Sequence, residues 1–325
     1  MSAGQHESDD HDATAAAEEG GTLPPPTRQG LWVLYRGCWL KPQTAESVAV
    51  VQAQFEPRPD DVFLATYPKC GTTWLKALAF AVTNRLRHGH AVGDSGHPLL
   101  TNHPQHLVPF LELPDRRLHP LADDLDALAS PRLLATHMPL SLLAARVGAL
   151  GCRVVYMCRE PKDVLVSYWH FASKVHADFS MDMAFELFCD GVSSYGPIWD
   201  HNLGYWRQSM TEPRRILFLK YEDMMADPTS HVKMLAEFLR VPFSDDEVRR
   251  GVVEEVVDLC SFDKLKSLPV NSSGVSDRFV GVPIQNSSYF RTGRVGDWAT
   301  HFTQEMAEKL DAIVEEKFRG SGLGF

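Results

Sequence analysis

Short apolar runs alternate with longer amphipathic segments along the chain, a pattern typical of α/β proteins. Four runs rich in Val, Leu, Ile and Phe predict buried strands, at Val62–Tyr67, Leu133–Thr136, Val154–Cys158 and Ile216–Leu219. Helical patterns follow three of these runs, at Thr72–Arg87, Pro161–Lys174 and Thr229–Leu239. Strands that alternate with helices predict one α/β domain, with a central parallel sheet flanked by helices. Binding sites in such folds lie at the carboxyl ends of the strands.

Two long segments interrupt this pattern. His88–Pro131 is rich in His, Pro and Gly, and Ser267–Trp298 is rich in Asn, Ser and Gly. Segments of this kind are usually functional or disordered loops. Six histidines occur between His88 and His119. We expect solvated side chains there rather than a metal site, because Pro104 disfavours a regular helix that would present two imidazoles on one face.

Charge is concentrated at the N-terminus. Residues 1–27 contain six acidic residues and no Lys or Arg, and they end in three prolines. This composition predicts a disordered acidic tail over residues 1–27, followed by a folded domain over residues 28–325. The tail supplies more than half of the formal net charge of −10. The nearly neutral remainder argues against a broad nucleic-acid-binding surface.

Composition also bears on location. No apolar stretch approaches the ~18 residues that a membrane span needs, and no secretory signal is visible. The six cysteines form no C-x-x-C pair, which is typical of reduced, mostly buried thiols. We therefore expect a cytoplasmic protein without a membrane partner.

The first candidate site lies where the strand Val62–Tyr67 turns into a helix. There the chain reads Pro68-Lys-Cys-Gly-Thr-Thr-Trp74. Free N–H groups at the helix start, the Thr72 and Thr73 hydroxyls and the Lys69 ammonium could surround an anion. The order of residues departs from the phosphate-binding pattern G-x-x-x-x-G-K-[ST]. This motif alone therefore does not separate an anion site from an ordinary strand–helix turn.

Three further stretches place suitable side chains near other strand ends. Arg159 follows a strand, and Ser167 comes eight residues later on a helix of just over two turns, so both can face the same strand end. His137 ends another strand. The loop Phe290-Arg-Thr-Gly-Arg-Val-Gly-Asp-Trp298 adds Arg291 and further basic character.

Together, five motifs in order resemble the cytosolic sulfotransferase family. They are Tyr67-Pro-Lys-Cys-Gly-Thr-Thr-Trp74, Thr136-His-Met-Pro139, Arg159-Glu-Pro-Lys-Asp-Val…Ser167-Tyr, Tyr221-Glu-Asp-Met224 and Arg291-Thr-Gly-Arg-Val-Gly-Asp-Trp298. The resemblance extends from about Pro57 to about Thr303. His97-Pro-Leu-Leu-Thr-Asn and Leu107-Val-Pro-Phe-Leu-Glu112 are similar to the plant, flavonol-sulfotransferase-type branch.

This resemblance implies an enzyme that moves a sulfuryl group from 3′-phosphoadenosine-5′-phosphosulfate to a hydroxyl or amine of a small acceptor, without a metal. By position, the donor's 5′-phosphosulfate and adenine would be held by Lys69, Cys70, Gly71, Thr72, Thr73 and Trp74. The 3′-phosphate would be held by Arg159, Ser167, Arg291, Thr292 and Gly293. The nucleotide would be lined by Tyr221, Cys260, Ser261 and Phe262.

The chemistry agrees with two catalytic roles that the resemblance implies. The acceptor oxygen must lose a proton, and an imidazole with a pKa near ~6.5 can take it at neutral pH, so His137 would be the base. The leaving phosphate oxygen gains negative charge, which Lys69 would stabilise.

The chain departs from the family pattern at several positions. Cys70 replaces a serine but keeps its backbone N–H, and Ala135 replaces a second lysine of many animal members. Thr292 replaces the lysine of R-K-G, which would weaken the hold on the 3′-phosphate unless Arg294 compensates. The family's dimer motif is not matched at Ala299 and Gln304, so we do not expect dimerisation by that route.

Two other functions remain open at this point. A nucleotide phosphotransferase with a degenerate phosphate-binding loop would need magnesium, and a non-catalytic nucleotide-binding protein would bind the donor without turnover. The acceptor also stays open among flavonoids, steroids, hydroxylated jasmonates and phenolic acids.

Overall fold

A computed structural model of the chain describes residues 32–88, 96–113, 115–176, 178–276 and 283–325. The predicted acidic tail, residues 1–27, lies outside the described residues. The strands are β1 (Val33–Tyr35), β2 (Cys38–Leu40), β3 (Val62–Thr66), β4 (Leu133–Thr136), β5 (Arg153–Cys158), β6 (Ile216–Lys220), β7 (Val275–Ser276) and β8 (Ile284–Gln285).

The helices surround the strands in chain order. They are α1 (Pro42–Gln54), α2 (Thr72–His88), α3 (Pro104–Leu107), α4 (Leu140–Val147), α5 (Pro161–Ala172), α6 (Met181–Cys189), α7 (Ile198–Thr211), α8 (Tyr221–Ala226), α9 (Pro228–Phe238), α10 (Asp245–Arg249), α11 (Val252–Leu259), α12 (Phe262–Ser267), α13 (Pro269–Ser272) and α14 (Gln304–Phe318). Short 3₁₀ turns occupy Pro98–Leu100, Gly148–Leu150, Asn286–Tyr289 and Asp297–Thr300, and a π turn occupies Ala122–Asp126.

The central sheet has four parallel strands in the order β4-β3-β5-β6. In β3, Leu64 lies opposite Ala135 of β4 and Val155 of β5. Every residue of β3 and of β5 is buried, as expected for strands with helices on both faces. The sheet fixes which side chains emerge together, because the carboxyl ends of all four strands meet at one edge.

Two apolar clusters cover the two faces of the sheet. Successive β3 residues alternate between them, with Phe63 in the first cluster and Leu64 in the second. The first cluster includes residues of α1, α4, α5, α6, α7 and α14. The second includes residues of α2, α8, α9, α11 and α12. The predicted α/β arrangement, a parallel sheet flanked by helices, is confirmed.

The sequence predicted every strand of the central sheet but only some of the helices. The four predicted strands and three predicted helices are all present, with ends that differ by at most two residues. The β1–β2 hairpin and four longer helices, α1, α6, α7 and α14, were not predicted. The predicted thiols are confirmed as unpaired, with five of the six cysteines buried.

The expectation of solvated histidines was wrong for His97 and His103, which are fully buried. Each Nδ1 accepts a backbone hydrogen bond at the start of a short helix, at 3.2 Å from Leu99 and 3.1 Å from Gln105. Because of these hydrogen bonds, each histidine is a helix cap rather than a loop side chain. In both cases a proline follows as the first residue of the helix. Among the described residues, no group of His, Cys, Asp and Glu side chains could hold a metal ion. No helix in the described ranges is long and apolar enough to cross a membrane.

Candidate active site

Each strand of the sheet delivers a candidate functional residue at the same edge. The loop Tyr67–Gly71 follows β3, and His137, Arg159 and Tyr221 are the first residues after β4, β5 and β6. They line one cavity of about 910 Å³. This is the position expected for a ligand site in a parallel α/β sheet.

The loop after β3 is curled by two residues with positive φ, Lys69 at 71° and Gly71 at 92°. A Cβ atom on Gly71 would lie 2.8 Å from Cε of Met157 and 2.9 Å from the Tyr221 ring, so only glycine fits. Leu75 makes a helical hydrogen bond back to the Gly71 carbonyl, at 3.0 Å. The N–H groups of the first turn of α2 therefore lack helical partners and can bind an anion.

Cys70 differs from its expected role. Its N–H group, which we expected to face the anion, donates to the Tyr67 carbonyl at 3.2 Å and closes the turn. Its side chain packs in the first apolar cluster. Cys70 therefore shapes the loop and does not line the cavity.

Buried polar side chains form hydrogen bonds with the Thr72 and Thr73 hydroxyls at the start of α2. Thr72 Oγ1 lies 2.6 Å from Thr66 Oγ1, and Thr73 Oγ1 accepts a 3.0 Å hydrogen bond from Gln105. Gln105 in turn accepts a 2.5 Å bond from Lys76, whose ammonium also lies 3.6 Å from the centre of the Phe110 ring. Burial lowers the pKa of Lys76 well below its ordinary value. Thr73 is thus oriented by two successive hydrogen bonds, which begin at the fully buried side chain of Lys76.

Lys69 lies at the centre of a positive region. Its ammonium is 4.0 Å from the centre of the Phe171 ring. Burial, together with the charges of Lys174, Arg159 and Arg291, lowers the pKa of Lys69 to about 7. A bound anion would relieve this repulsion, so the loop is electrostatically prepared for one.

Arg159 ties the C-terminal loop to this region. Its guanidinium donates to the Arg294 carbonyl at 2.8 Å and to the Asp163 carboxylate at 3.2 Å. The same carboxylate accepts the N–H groups of Gly296 and Trp298 at 2.8 and 3.0 Å. Arg159 is thereby fixed beside the Lys69 loop although more than 130 residues separate it from Arg294 in sequence.

Two arginine nitrogens remain for a ligand. The Nε atoms of Arg159 and Arg291 are buried and have no hydrogen-bond partner among the described residues. A buried unpaired donor is costly, and a phosphate group is a suitable acceptor for it. Gly293 has a φ of 65° and packs against the Phe262 ring, where a Cβ would lie 2.5 Å from the ring atoms, so this turn of the loop requires glycine. These observations fit a nucleotide that carries phosphate groups at two places.

His137 presents one ring nitrogen to the cavity. Its Nδ1 lies 2.8 Å from the carbonyl oxygen of Thr66, which can only accept, so Nδ1 carries the proton. Nε2 is left as the basic atom, since the hydrogen bonds of His137 to the described residues use only Nδ1 and the backbone, and His137 lines the cavity. Burial lowers the pKa of His137 to about 3, below the ~6.5 assumed from the sequence, and outweighs the hydrogen bond to Thr66, which raises it. The imidazole is therefore neutral at physiological pH.

The backbone of His137 is held on both sides. Its N–H donates to the buried Glu112 carboxylate at 2.7 Å, and its carbonyl accepts from His201 Nε2 at 2.8 Å. Burial lowers the pKa of His201 to about 4, so this ring is neutral too. Tyr195 also donates to Glu112, at 3.1 Å, and its ring centre lies 5.4 Å from that of His137.

Most residues predicted for the site come together in the cavity. Its lining includes Lys69, Gly71, Thr72, Thr73, Trp74, His137, Arg159, Ser167, Tyr221, Ser261, Phe262, Arg291, Thr292 and Gly293. Cys260 does not line the cavity, because its side chain is buried in the second apolar cluster. Arg294 is exposed and outside the lining, so it does not replace the lysine missing at Thr292.

Sequence reasoning missed the residues that support the site. Glu112, His201, Gln105 and Lys76 contact the site residues without belonging to the strand ends that the pattern identified. In the sequence analysis, Glu112 appears only as the last residue of the motif Leu107–Glu112, which is similar to the plant branch of the family. The sequence pattern that could have identified Glu112 is a carboxylate directly after the apolar run Val108–Leu111. In the structure this carboxylate is buried.

A neutral imidazole and a cluster of cations face the same cavity, an arrangement suited to transfer of an anionic group from a nucleotide to a nucleophile that must be deprotonated. The fold and the cavity therefore define an α/β group-transfer enzyme. Residues 59–322 match the model of the Sulfotransferase domain, and the chain belongs to the sulfotransferase family.

Individual relatives agree. The chain is 43% identical over 296 residues to cytosolic sulfotransferase 5 of Arabidopsis thaliana, covering 90% of each chain. It is 43% identical over 293 residues to flavonol 4′-sulfotransferase of Flaveria chlorifolia, covering 89% of this chain and 88% of the relative. A crystal structure of an Arabidopsis thaliana protein assigned as a steroid sulphotransferase is 35% identical, with a TM-score of 0.73, and the match covers 94% of this chain and 93% of that one.

Proposed function

We propose that the protein transfers a sulfuryl group from 3′-phosphoadenosine-5′-phosphosulfate to the hydroxyl of a small aromatic acceptor, with His137 as general base. The observation that carries this proposal is the hydrogen bond from His137 Nδ1 to the Thr66 carbonyl. It leaves an unprotonated Nε2 directed to the cavity, the state that a base requires before the reaction begins. We also expect a cytosolic location, in keeping with the names of the relatives.

The bound donor supplies an electrophilic sulfur and a phosphate leaving group. His137 Nε2 takes the acceptor's hydroxyl proton as the new S–O bond forms. The bridging S–O bond of the donor breaks, and Lys69 stabilises the charge on the departing phosphate oxygen. The N–H groups at the start of α2 and the Thr72 and Thr73 hydroxyls hold the phosphosulfate. Arg159 and Arg291 hold the 3′-phosphate.

Aromatic side chains near His137 support an aromatic acceptor. The Phe110 ring centre lies 4.8 Å and the Tyr195 ring centre 5.4 Å from the His137 ring centre. On the donor side, Phe171 packs against Lys69. A flat phenol between such rings would present its hydroxyl to Nε2 and bury its apolar faces.

The test is an assay of 3′,5′-bisphosphoadenosine formation with the sulfate donor and a panel of phenols and aliphatic alcohols, each with and without a chelator. We expect product with phenols, less with alcohols, and no effect of chelation. Activity that needs magnesium and ATP would favour a phosphotransferase instead. Binding of the donor without product from any acceptor would favour a non-catalytic protein.

A further inference from the structure

The cavity wall is strongly biased in charge. Five cationic side chains line it, Lys41, Lys69, Arg159, Lys174 and Arg291. No Asp or Glu lines it within the part of the chain that the structure describes. The chain as a whole carries a formal charge of −10, so this bias is local. A cavity with only positive charges is built for negatively charged ligands.

The cations fall into two groups. Lys174, Arg159 and Arg291 all lower the pKa of Lys69, which places these four together at the donor end. Lys41 is absent from that group. Burial lowers the pKa of His176, another residue of the cavity lining, and the charge of Lys41 lowers it as well. Lys41 is therefore not one of the charges grouped around Lys69.

The backbone places Lys41 on the acceptor side. Trp39 of β2 bonds to the turn after α6, donating to the Gly196 carbonyl at 2.9 Å and accepting from the Tyr195 N–H at 2.6 Å. Lys41 follows two residues later, directly before α1. Tyr195 is also the residue whose ring packs beside His137. Lys41 thus enters the cavity from the wall against which the acceptor lies.

Lys41 has no carboxylate partner among the described residues. Ion pairs are present for other lysines, such as Lys162 with Asp311 and Lys309 with Glu186. Lys41 is exposed as a whole, but the protein atoms around its ammonium lower its pKa. An anionic group of a ligand would restore what this desolvation costs.

We propose that Lys41, with His176 beside it, forms an anion subsite for the acceptor, and that the enzyme therefore prefers hydroxylated aromatic acids over neutral phenols. This inference rests on the proposed function, because it assigns the far end of the same acceptor. The hydroxyl faces His137, and the carboxylate or another anionic group faces Lys41.

The experiment compares two acceptors that share one phenol, 3-(4-hydroxyphenyl)propanoate and its methyl ester. The ratio of their kcat/KM values, acid over ester, is measured within each variant, so that any change in basal rate cancels. We expect a ratio of about ten in the wild-type protein, decreasing as salt is added, because a partly exposed ion pair is screened. Lys41→Met should bring the ratio close to one, and Lys41→Glu should bring it below one. Lys317→Met, on α14 away from the cavity, is the matched control and should keep the wild-type ratio.

The possible failures can be told apart. A wild-type protein that sulfates both compounds with a ratio near one would overturn the anion subsite and leave the proposed function standing. A ratio of about ten that survives in Lys41→Met would remove Lys41 from the recognition. If neither compound nor 2-naphthol yields 3′,5′-bisphosphoadenosine, both proposals fail.

Discussion

The carboxylate of Glu112 accepts a 2.7 Å hydrogen bond from the backbone N–H of His137, so a fully buried acid fixes the position of the candidate base. The same carboxylate accepts from the Thr136 hydroxyl at 2.9 Å and the Tyr195 hydroxyl at 3.1 Å. Burial raises its pKa, and these bonds counteract the rise. In the proposed mechanism, Glu112 acts on the reaction through the placement of His137.

Glu112→Gln tests this placement. The amide has one acceptor oxygen, so at least one of the three donors would face an NH₂ group. We expect the free energy of unfolding to fall by about 1–3 kcal/mol, the usual cost of an unsatisfied buried donor. The single-turnover rate should fall while affinity for 3′,5′-bisphosphoadenosine is retained. The exposed Glu254→Gln is the control. Unchanged turnover in Glu112→Gln would mean that the carboxylate does not position the base.

His137→Ala and Lys69→Ala should separate chemistry from binding. For His137→Ala we expect turnover to fall by roughly 10²–10⁴, the usual contribution of a positioned base, with nucleotide affinity nearly intact. Lys69→Ala should weaken both, because Lys69 faces the donor before and during bond breakage. The measurements are single-turnover rates and calorimetric nucleotide affinities, with His119→Ala as an exposed control. A folded His137→Ala protein with near wild-type turnover would exclude His137 as the base.

Nucleotide binding should be coupled to protonation of Lys69. Its pKa of about 7 in the empty cavity should rise when phosphate groups lie beside it. At pH 8 we therefore expect binding of 3′,5′-bisphosphoadenosine to take up as much as one proton. At pH 5.5 Lys69 is already charged, so it should contribute no uptake. Calorimetry in buffers of different ionisation enthalpy measures the uptake.

Lys69→Met is the matching variant for this measurement, since it keeps the length of the side chain and removes the titrating group. The uptake at pH 8 should largely disappear in it. Equal uptake in the variant and the wild-type protein would assign the proton to another group.

Acid should destabilise the fold through buried histidines such as His103. Burial lowers its pKa to about 3, whereas the unfolded chain protonates near ~6.5. The unfolded state then binds more protons below pH ~6.5, so stability is lost as the pH falls from there towards about 3. By pH 5 the loss for one such histidine is about 2 kcal/mol.

His103→Asn keeps a side chain that can cap the helix Pro104–Leu107 and removes the titration. The decrease in unfolding free energy between pH 7 and pH 5 should be about 2 kcal/mol smaller in this variant, measured by denaturant titration at both pH values. His119→Asn, an exposed position, should leave the decrease unchanged. If the unfolding free energy of His103→Asn decreased between pH 7 and pH 5 by as much as that of the wild-type protein, His103 would not be the group that titrates.

The sheet could be predicted because its strands are buried on both faces and therefore appear as continuous apolar runs such as Val62–Thr66. The residues that follow the strands were found for the same reason, since strand ends in a parallel sheet share one edge. The helices α1, α6, α7 and α14 were missed. Gln105 and Lys76 were missed because their roles depend on contacts between distant segments.

His103 and Cys70 show most clearly what could not be predicted from the sequence. His103 was expected in solvent because its segment is rich in His, Pro and Gly, yet its Nδ1 caps a helix. Cys70 was expected to direct its N–H to an anion, yet that N–H closes the loop on Tyr67. In both cases a local hydrogen bond, which composition does not encode, decided the orientation.

The hydrogen bonds that Gly296 and Trp298 donate to Asp163 also bear on when the protein can acquire its ligand. The Lys69 loop, which we propose binds the donor, is synthesised before the Arg291 loop, which we propose binds the 3′-phosphate. A ribosome-bound chain therefore holds the Lys69 loop without the segment that completes it. On the proposed assignment, we therefore expect nucleotide to stabilise the protein only after the sheet and both apolar clusters have formed.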